Sequence, residues 1–137
     1  MLTHRVAGML LLVAAWSIPI DGQQPLKVTI DVKPGDEKVT IEPEREGMVP
    51  ILLVSTPQFD AATADPDTIR AGAEGTEASI FRSMLEDVDK DGDVDRMLLV
   101  RVRDMRLKCG NKIIKVTGKT TDGRSFEGSD AVTTEGC

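Results

Sequence analysis

The chain has 137 residues, room for one domain with a core of moderate size and no need of several cross-links. Lys and Arg number 17 against 23 Asp and Glu, and the resulting net charge of −6 argues against nucleic acid or anionic lipid as a partner, because both reward clustered cations. The one His is His4, the one Trp is Trp16, and Tyr is absent.

His4 and Arg5 open the chain with positive charge, and Val6 to Ile20 is apolar apart from breaks at Gly8, Ser17 and Pro19. That stretch is shorter than the roughly 20 residues an α-helix needs to cross a bilayer, and Pro19, Asp21 and Gly22 end it abruptly. The pattern predicts a helical secretory signal peptide over residues 1–22, with cleavage after Ser17 or after Gly22 both meeting the small-residue rule. Residues 23–137 would then be the mature domain, without His, Trp or Tyr, in a secreted, periplasmic or extracellular setting and with no stable membrane span. Cys109 and Cys137 are the only cysteines, and in an oxidising exported compartment they are expected to pair.

From Lys27 to Lys33 the residues alternate, with Val28, Ile30 and Val32 on one side, which predicts a half-buried strand. Pro34-Gly35-Asp36 is a turn, after which Val39 and Ile41 resume the alternation until Pro43. Val49 to Val54 is a continuous apolar run, expected to be a strand covered on both faces at the centre of the core. Thr68-Ile69-Arg70 reads as a short strand between loops, and Ala78 to Glu86, which fits a helical face or an alternating strand, is assigned as strand. Leu98, Val100 and Val102 face one way in the next strand while Arg101 and Arg103 face the other. Ile114 and Val116 begin another, Thr121-Asp122-Gly123-Arg124 is a hairpin turn, and Ser125 to Val132 returns. Short strands punctuated by Gly, Pro and Asp predict an all-β fold, an immunoglobulin-like β-sandwich.

Between two of these strands lies Glu86-Asp87-Val88-Asp89-Lys90-Asp91-Gly92-Asp93-Val94-Asp95. Without a cation, so many carboxylates repel one another. Ca²⁺ takes six to eight oxygens at about 2.3–2.6 Å, so a loop that curls around it must present short acidic side chains at regular intervals. Asp87, Asp89 and Asp91 do so, Gly92 allows the sharp bend, Asp93 offers its backbone carbonyl, and Asp95 closes the ring directly or through water. The helix-flanked EF-hand is matched only in part, since Leu98 stands where a bidentate Glu is expected. Mg²⁺ rarely uses a dedicated all-protein cage, and zinc or copper would lack their usual ligands.

The Asp-x-Asp-x-Asp-Gly-x-x-Asp pattern followed by an apolar strand resembles the strand-loop-strand calcium loops of integrin-type β-propeller repeats, the FG-GAP motifs. A single copy cannot build a propeller, which needs repeated blades. The order of Ile30-Asp31-Val32-Lys33-Pro34-Gly35, Val49-Pro50-Ile51-Leu52, Phe59-Asp60, Asp65-Pro66-Asp67-Thr68, Cys109-Gly110 and Thr121 to Asp130, closing on Gly136-Cys137, also resembles an uncharacterised β-domain that recurs in exported bacterial proteins. The resemblance covers nearly all of residues 27 to 137. It implies export, a Cys109–Cys137 pairing and the calcium loop, and it implies no substrate. The chain departs from that pattern at Arg96, where an apolar residue usually opens the strand, and in its extra basic residues from Arg101 to Lys108.

The expected function is therefore a secreted, non-catalytic calcium-binding structural or adhesion module with an unknown protein or glycan partner. A calcium-dependent carbohydrate-binding module is the alternative, although only Phe59, Phe81 and Phe126 could serve as sugar platforms and these are expected in core or edge packing. A carboxylate-based glycoside hydrolase is a further rival, since Asp and Glu are plentiful, whereas histidine-based triads are closed to the mature chain. Arg96, Arg101, Arg103, Arg106 and Lys108 are expected on a solvated strand face, where they could meet an acidic polymer.

Overall fold

A computed structural model of the protein describes residues 24–88 and 90–137. The expected signal peptide over residues 1–22 and the expected ligand Asp89 lie outside the described residues. Among those described, no helix is long and apolar enough to cross a membrane.

The chain runs through β1 (Leu26–Lys27), β2 (Thr29–Val32), β3 (Thr40–Ile41), β4 (Met48–Val54), β5 (Arg70–Gly72), β6 (Ala78–Ser79), β7 (Arg82–Glu86), β8 (Asp95–Arg101), β9 (Ile113–Lys119), β10 (Ser125–Ala131) and β11 (Thr133–Thr134). Helical structure among the described residues is limited to 3-10 turns at Ala61–Thr63, Pro66–Thr68 and Arg103–Met105. One sheet has the order β2-β4-β8-β7 with every pair antiparallel, the other the order β1-β10-β9-β5-β6, and a parallel β3–β11 pair lies beside them. The fold is an all-β sandwich, as the alternation predicts.

The core forms where the inward faces meet. Ile30, Val32, Val49, Ile51, Leu53, Leu98 and Val100 from the four-stranded sheet join Ala71, Ile114, Val116 and Phe126 from the five-stranded one in a single buried cluster. Phe59 and Phe126 pack within it as a tilted ring pair with centroids 5.1 Å apart.

The alternation at Lys27–Lys33 is correct in its faces but spans two strands. At Val28 the chain changes sheets: β1 pairs in parallel with β10, while β2 pairs with β4. The crossing brings the Val28 carbonyl so close to Gly128 that a Cβ there would meet it at 2.6 Å, so the position has no room for a side chain.

The apolar run Val49–Val54 lies inside β4, between β2 and β8, and Leu52 on its outward face is also buried. Pro50 is tolerated in this central strand for a local reason. Its carbonyl accepts the Lys33 N–H at 2.8 Å on the β2 side, and a residue's N and C=O point the same way in a strand. The missing donor therefore faces the point where β2 has already turned away.

Two strand expectations need correction. Thr68-Ile69-Arg70 is not a strand from its start: Asp65 caps the Pro66–Thr68 turn through the Asp67 N–H at 3.1 Å, and β5 begins only at Arg70. Ala78–Glu86 is strand at both ends, but as β6 and β7 in different sheets, separated at Ile80 and Phe81. As the free edge of its sheet, β7 leaves Met84 and Leu85 exposed, and of this segment only Ala78 joins the core, with Ile80 packed against it.

Cys109 and Cys137 stand as a disulfide pair with Cα atoms 6.0 Å apart. The bridge ties the tail beyond β11 to the segment before β9. Closing that loop of 28 residues contributes on the order of 3–4 kcal/mol in the chain-entropy treatment.

Candidate metal centre

The acidic segment is the loop of the β7–β8 hairpin, which closes at the register pair Glu86–Asp95. Between these residues the backbone turns sharply at Lys90 (φ 55°) and Gly92 (φ 96°), and the glycine takes its left-handed conformation without strain. Val88 N–H reaches back to the Glu86 carbonyl at 3.1 Å.

Two of the loop carboxylates bind the loop's own backbone. Asp87 Oδ2 accepts the Gly92 N–H at 3.1 Å, and Asp91 Oδ1 accepts the Asp93 N–H at 2.8 Å. Asp91 and Asp93 are exposed, Asp87 is half-buried, and Asp95 is fully buried at 0 % exposure. Among the described residues, no three His, Cys, Asp or Glu side chains are gathered into a metal-holding group.

Asp95 is the anchored member of the set. Its Oδ1 accepts the Ser55 N–H at 2.9 Å, and the Ser55 hydroxyl donates to the neighbouring Val94 carbonyl at 2.7 Å while accepting the Ala61 N–H at 2.8 Å. Ser55 therefore fixes the outgoing end of the loop to the connection between β4 and β5. Asp95 Oδ2 has no partner, and neither does the buried Asp87 Oδ1. These are the two buried side-chain polar atoms without a hydrogen bond among the described residues, and both belong to the carboxylates expected to ligate calcium.

A buried anionic oxygen without a hydrogen bond is costly, on the order of 1–3 kcal/mol or more for a charged group, unless a proton, water or cation meets it. A hard cation is one such group, and the loop's aspartates follow calcium spacing, although no three carboxylates among the described residues are gathered into a metal-holding set. Asp87 and Asp95 would hold it through these oxygens, with Asp89, Asp91 and the Asp93 carbonyl completing an all-oxygen set. Such an ion would neutralise the loop's carboxylates and join its two ends.

Arg96 corrects the expectation of a solvated basic face at its first member. It occupies an inward position of β8 opposite Leu53 and is 7 % exposed. Its Nε and Nη2 donate to the Ala61 and Ala62 carbonyls at 3.0 and 3.1 Å, and Nη1 donates to Ser83 Oγ at 2.6 Å. Burial pulls its pKa below the usual value, while Asp65 and Asp60 pull the other way. Arg96 thus spends its charge on the carbonyls of the Ala61–Thr63 turn, the same turn whose first N–H is held by Ser55. Both residues hold the base of the loop, and the Asp spacing alone reveals neither. The residue pair Asp95-Arg96 at the start of an apolar strand was the available signal, since two charges there must find buried partners.

Arg101, Arg103, Arg106 and Lys108 are exposed as expected, but not on a strand face: β8 ends at Arg101, Arg103 lies in the 3-10 turn that follows, and Arg106 and Lys108 lie beyond it. Of the three phenylalanines, Phe59 and Phe126 are core, while Phe81 is 49 % exposed with the Arg101 guanidinium 4.5 Å over its ring.

No family model matches the chain. A DNA topoisomerase 2 from Pisum sativum is 32% identical over 94 residues, a stretch that covers 61% of this chain and 6% of that protein. The chain thus spans a small fraction of the curated relative it matches, and the likeness assigns neither a family nor an activity.

Proposed function

We propose that the protein is an exported, non-catalytic structural or interaction module whose β7–β8 loop binds one calcium ion through Asp87, Asp89, Asp91, the Asp93 carbonyl and Asp95. The observation that carries this reading is the pair of buried, unpartnered carboxylate oxygens, Asp87 Oδ1 and Asp95 Oδ2, at the two ends of a loop with calcium spacing. The Cys109–Cys137 pair agrees with an oxidising compartment. The ion's role is mechanical: it ties the free-edge strand β7 to the anchored start of β8 and so orders that end of the sandwich.

The reading is tested by following backbone amide resonances while calcium is added to chelator-stripped protein. Gly92 and Asp93 are the reporters, because their N–H groups donate to Asp87 and Asp91. Saturable shifts confined to residues 86–96 and to Ser55, at the roughly 0.1–1 mM dissociation constants of extracellular calcium modules, are expected. Shifts scattered over the acidic surface without saturation would sink the assignment.

A further inference from the structure

The opposite end of β8 carries a second constellation that the calcium reading does not use. Arg101 ends the strand, Arg103 lies in the 3-10 turn that follows, and Arg106 sits just past it. Together with Glu46, Gly47 and Asp104 they line an open cleft of about 700 Å³. All three arginines are exposed, unlike the buried Arg96 at the strand's other end.

Their placement is constrained. The Arg101 guanidinium lies 4.5 Å over the Phe81 ring, Arg103 Nη1 is 3.7 Å from Glu46 Oε1, and Val102 N–H donates to the Gly47 carbonyl at 3.0 Å to hold the two walls together. Arg106 adopts a left-handed backbone (φ 51°), a conformation that glycine or asparagine would take more cheaply. Three guanidinium groups in six residues are out of keeping with a chain of net charge −6. Guanidinium forks match carboxylate, sulfate and phosphate oxygens in pairs.

We infer that this arginine cleft is a binding site for an acidic polysaccharide, whose carboxylate or sulfate groups pair with Arg101, Arg103 and Arg106. A nucleic acid fits less well. Tyr is absent from the sequence, and the exposed ring of Phe81 already has a guanidinium on its face, so no free aromatic platform at the cleft awaits a base. A polymer suits the cleft because it is open, and its three arginines outnumber the two carboxylates, Glu46 and Asp104, that line it with them. The inference does not rest on calcium at the β7–β8 loop, which lies at the other end of β8.

The test measures binding of the full chain, in chelator, to immobilised heparin as the sulfated probe and polygalacturonate as the carboxylated one, with dextran as the neutral control. Retention on at least one acidic polymer and not on dextran is expected, and which polymer retains the protein identifies the anionic group. Affinity should fall with salt with a log–log slope of about −2, as for three neutralised charges on a single strand. R101Q/R103Q/R106Q should weaken binding by about tenfold or more at low salt. The equal charge change K38Q/K112Q/K119Q, at exposed lysines elsewhere, should weaken it far less. Matching melting curves for the two triple variants separate lost binding from lost folding. No retention on either acidic polymer, equal weakening in both variants, or tighter binding to double-stranded DNA than to heparin would each overturn the inference.

Discussion

Two hairpins of this sandwich close in opposite ways. In the β9–β10 turn Thr120 N–H donates to Arg124 O at 2.8 Å, Gly123 N–H to Thr120 O at 2.9 Å and Arg124 N–H to Thr120 Oγ1 at 3.0 Å, while the Thr120 hydroxyl bonds the Asp122 carboxylate. The β7–β8 loop also turns its aspartates onto its own N–H groups, yet it leaves two buried carboxylate oxygens with no partner. The first hairpin is complete with protein atoms alone. The second carries a buried electrostatic deficit that its own chain does not fill, and that contrast is the physical case for a cation.

Four substitutions break or sharpen this contrast. The largest effect is expected from Phe126→Ala, which removes the ring packed on Phe59 and behind the complete hairpin. It should cost about 3–5 kcal/mol in denaturant unfolding, by the same amount in calcium and in chelator. Ser55→Ala should cost about 1–3 kcal/mol, because the Ala61 N–H and the Val94 carbonyl both lose their partner. It should also shrink any calcium-dependent gain, since the strap beside Asp95 is loosened.

Asp95→Asn is the sharper probe of the incomplete hairpin. The amide oxygen still accepts the Ser55 N–H, while the buried negative charge is gone. In chelator the variant should be as stable as the native chain or more so, and in calcium it should lack the roughly 0.5–2 kcal/mol of linkage stabilisation. Unfolding curves in both buffers separate the two effects.

The smallest change is expected from Asp122→Asn in the complete turn. The Thr120 hydroxyl, with help from the Arg124 backbone and charge, holds the Asp122 carboxyl below its ordinary value. A carboxyl depressed in the folded state contributes stability above its unfolded value and loses it as pH falls through the folded one. The variant should therefore melt slightly below the native chain at neutral pH and match it in strong acid, with no dependence on calcium.

The contrast between the hairpins was only half legible in the sequence. Period-two alternation gives the inward faces of β2 and β8 because each has a wetter and a drier side, the continuous apolar run marks β4, and the Asp spacing marks the loop. Alternation says nothing about where a chain leaves one sheet for the other, so the crossing at Val28 and the division of Ala78–Glu86 into β6 and β7 were hidden. It also treats every apolar residue as a core residue, whereas Phe81 and Leu85 lie at or beside a free edge. Ser55 and Arg96 were missed for a different reason. Their roles depend on partners 40 and 35 positions away in the chain, Asp95 and Ala61, which a local pattern cannot show.

The most direct test of the account is the thermal melt of the native chain and of Asp91→Ala, each in millimolar calcium and in chelator. At the weak affinities of extracellular calcium modules, linkage predicts that calcium raises the native melting temperature by about 2–8 °C and leaves that of Asp91→Ala unchanged. A native melt that is the same in both buffers, or a calcium-dependent rise that persists in Asp91→Ala, would contradict a cation held by this loop.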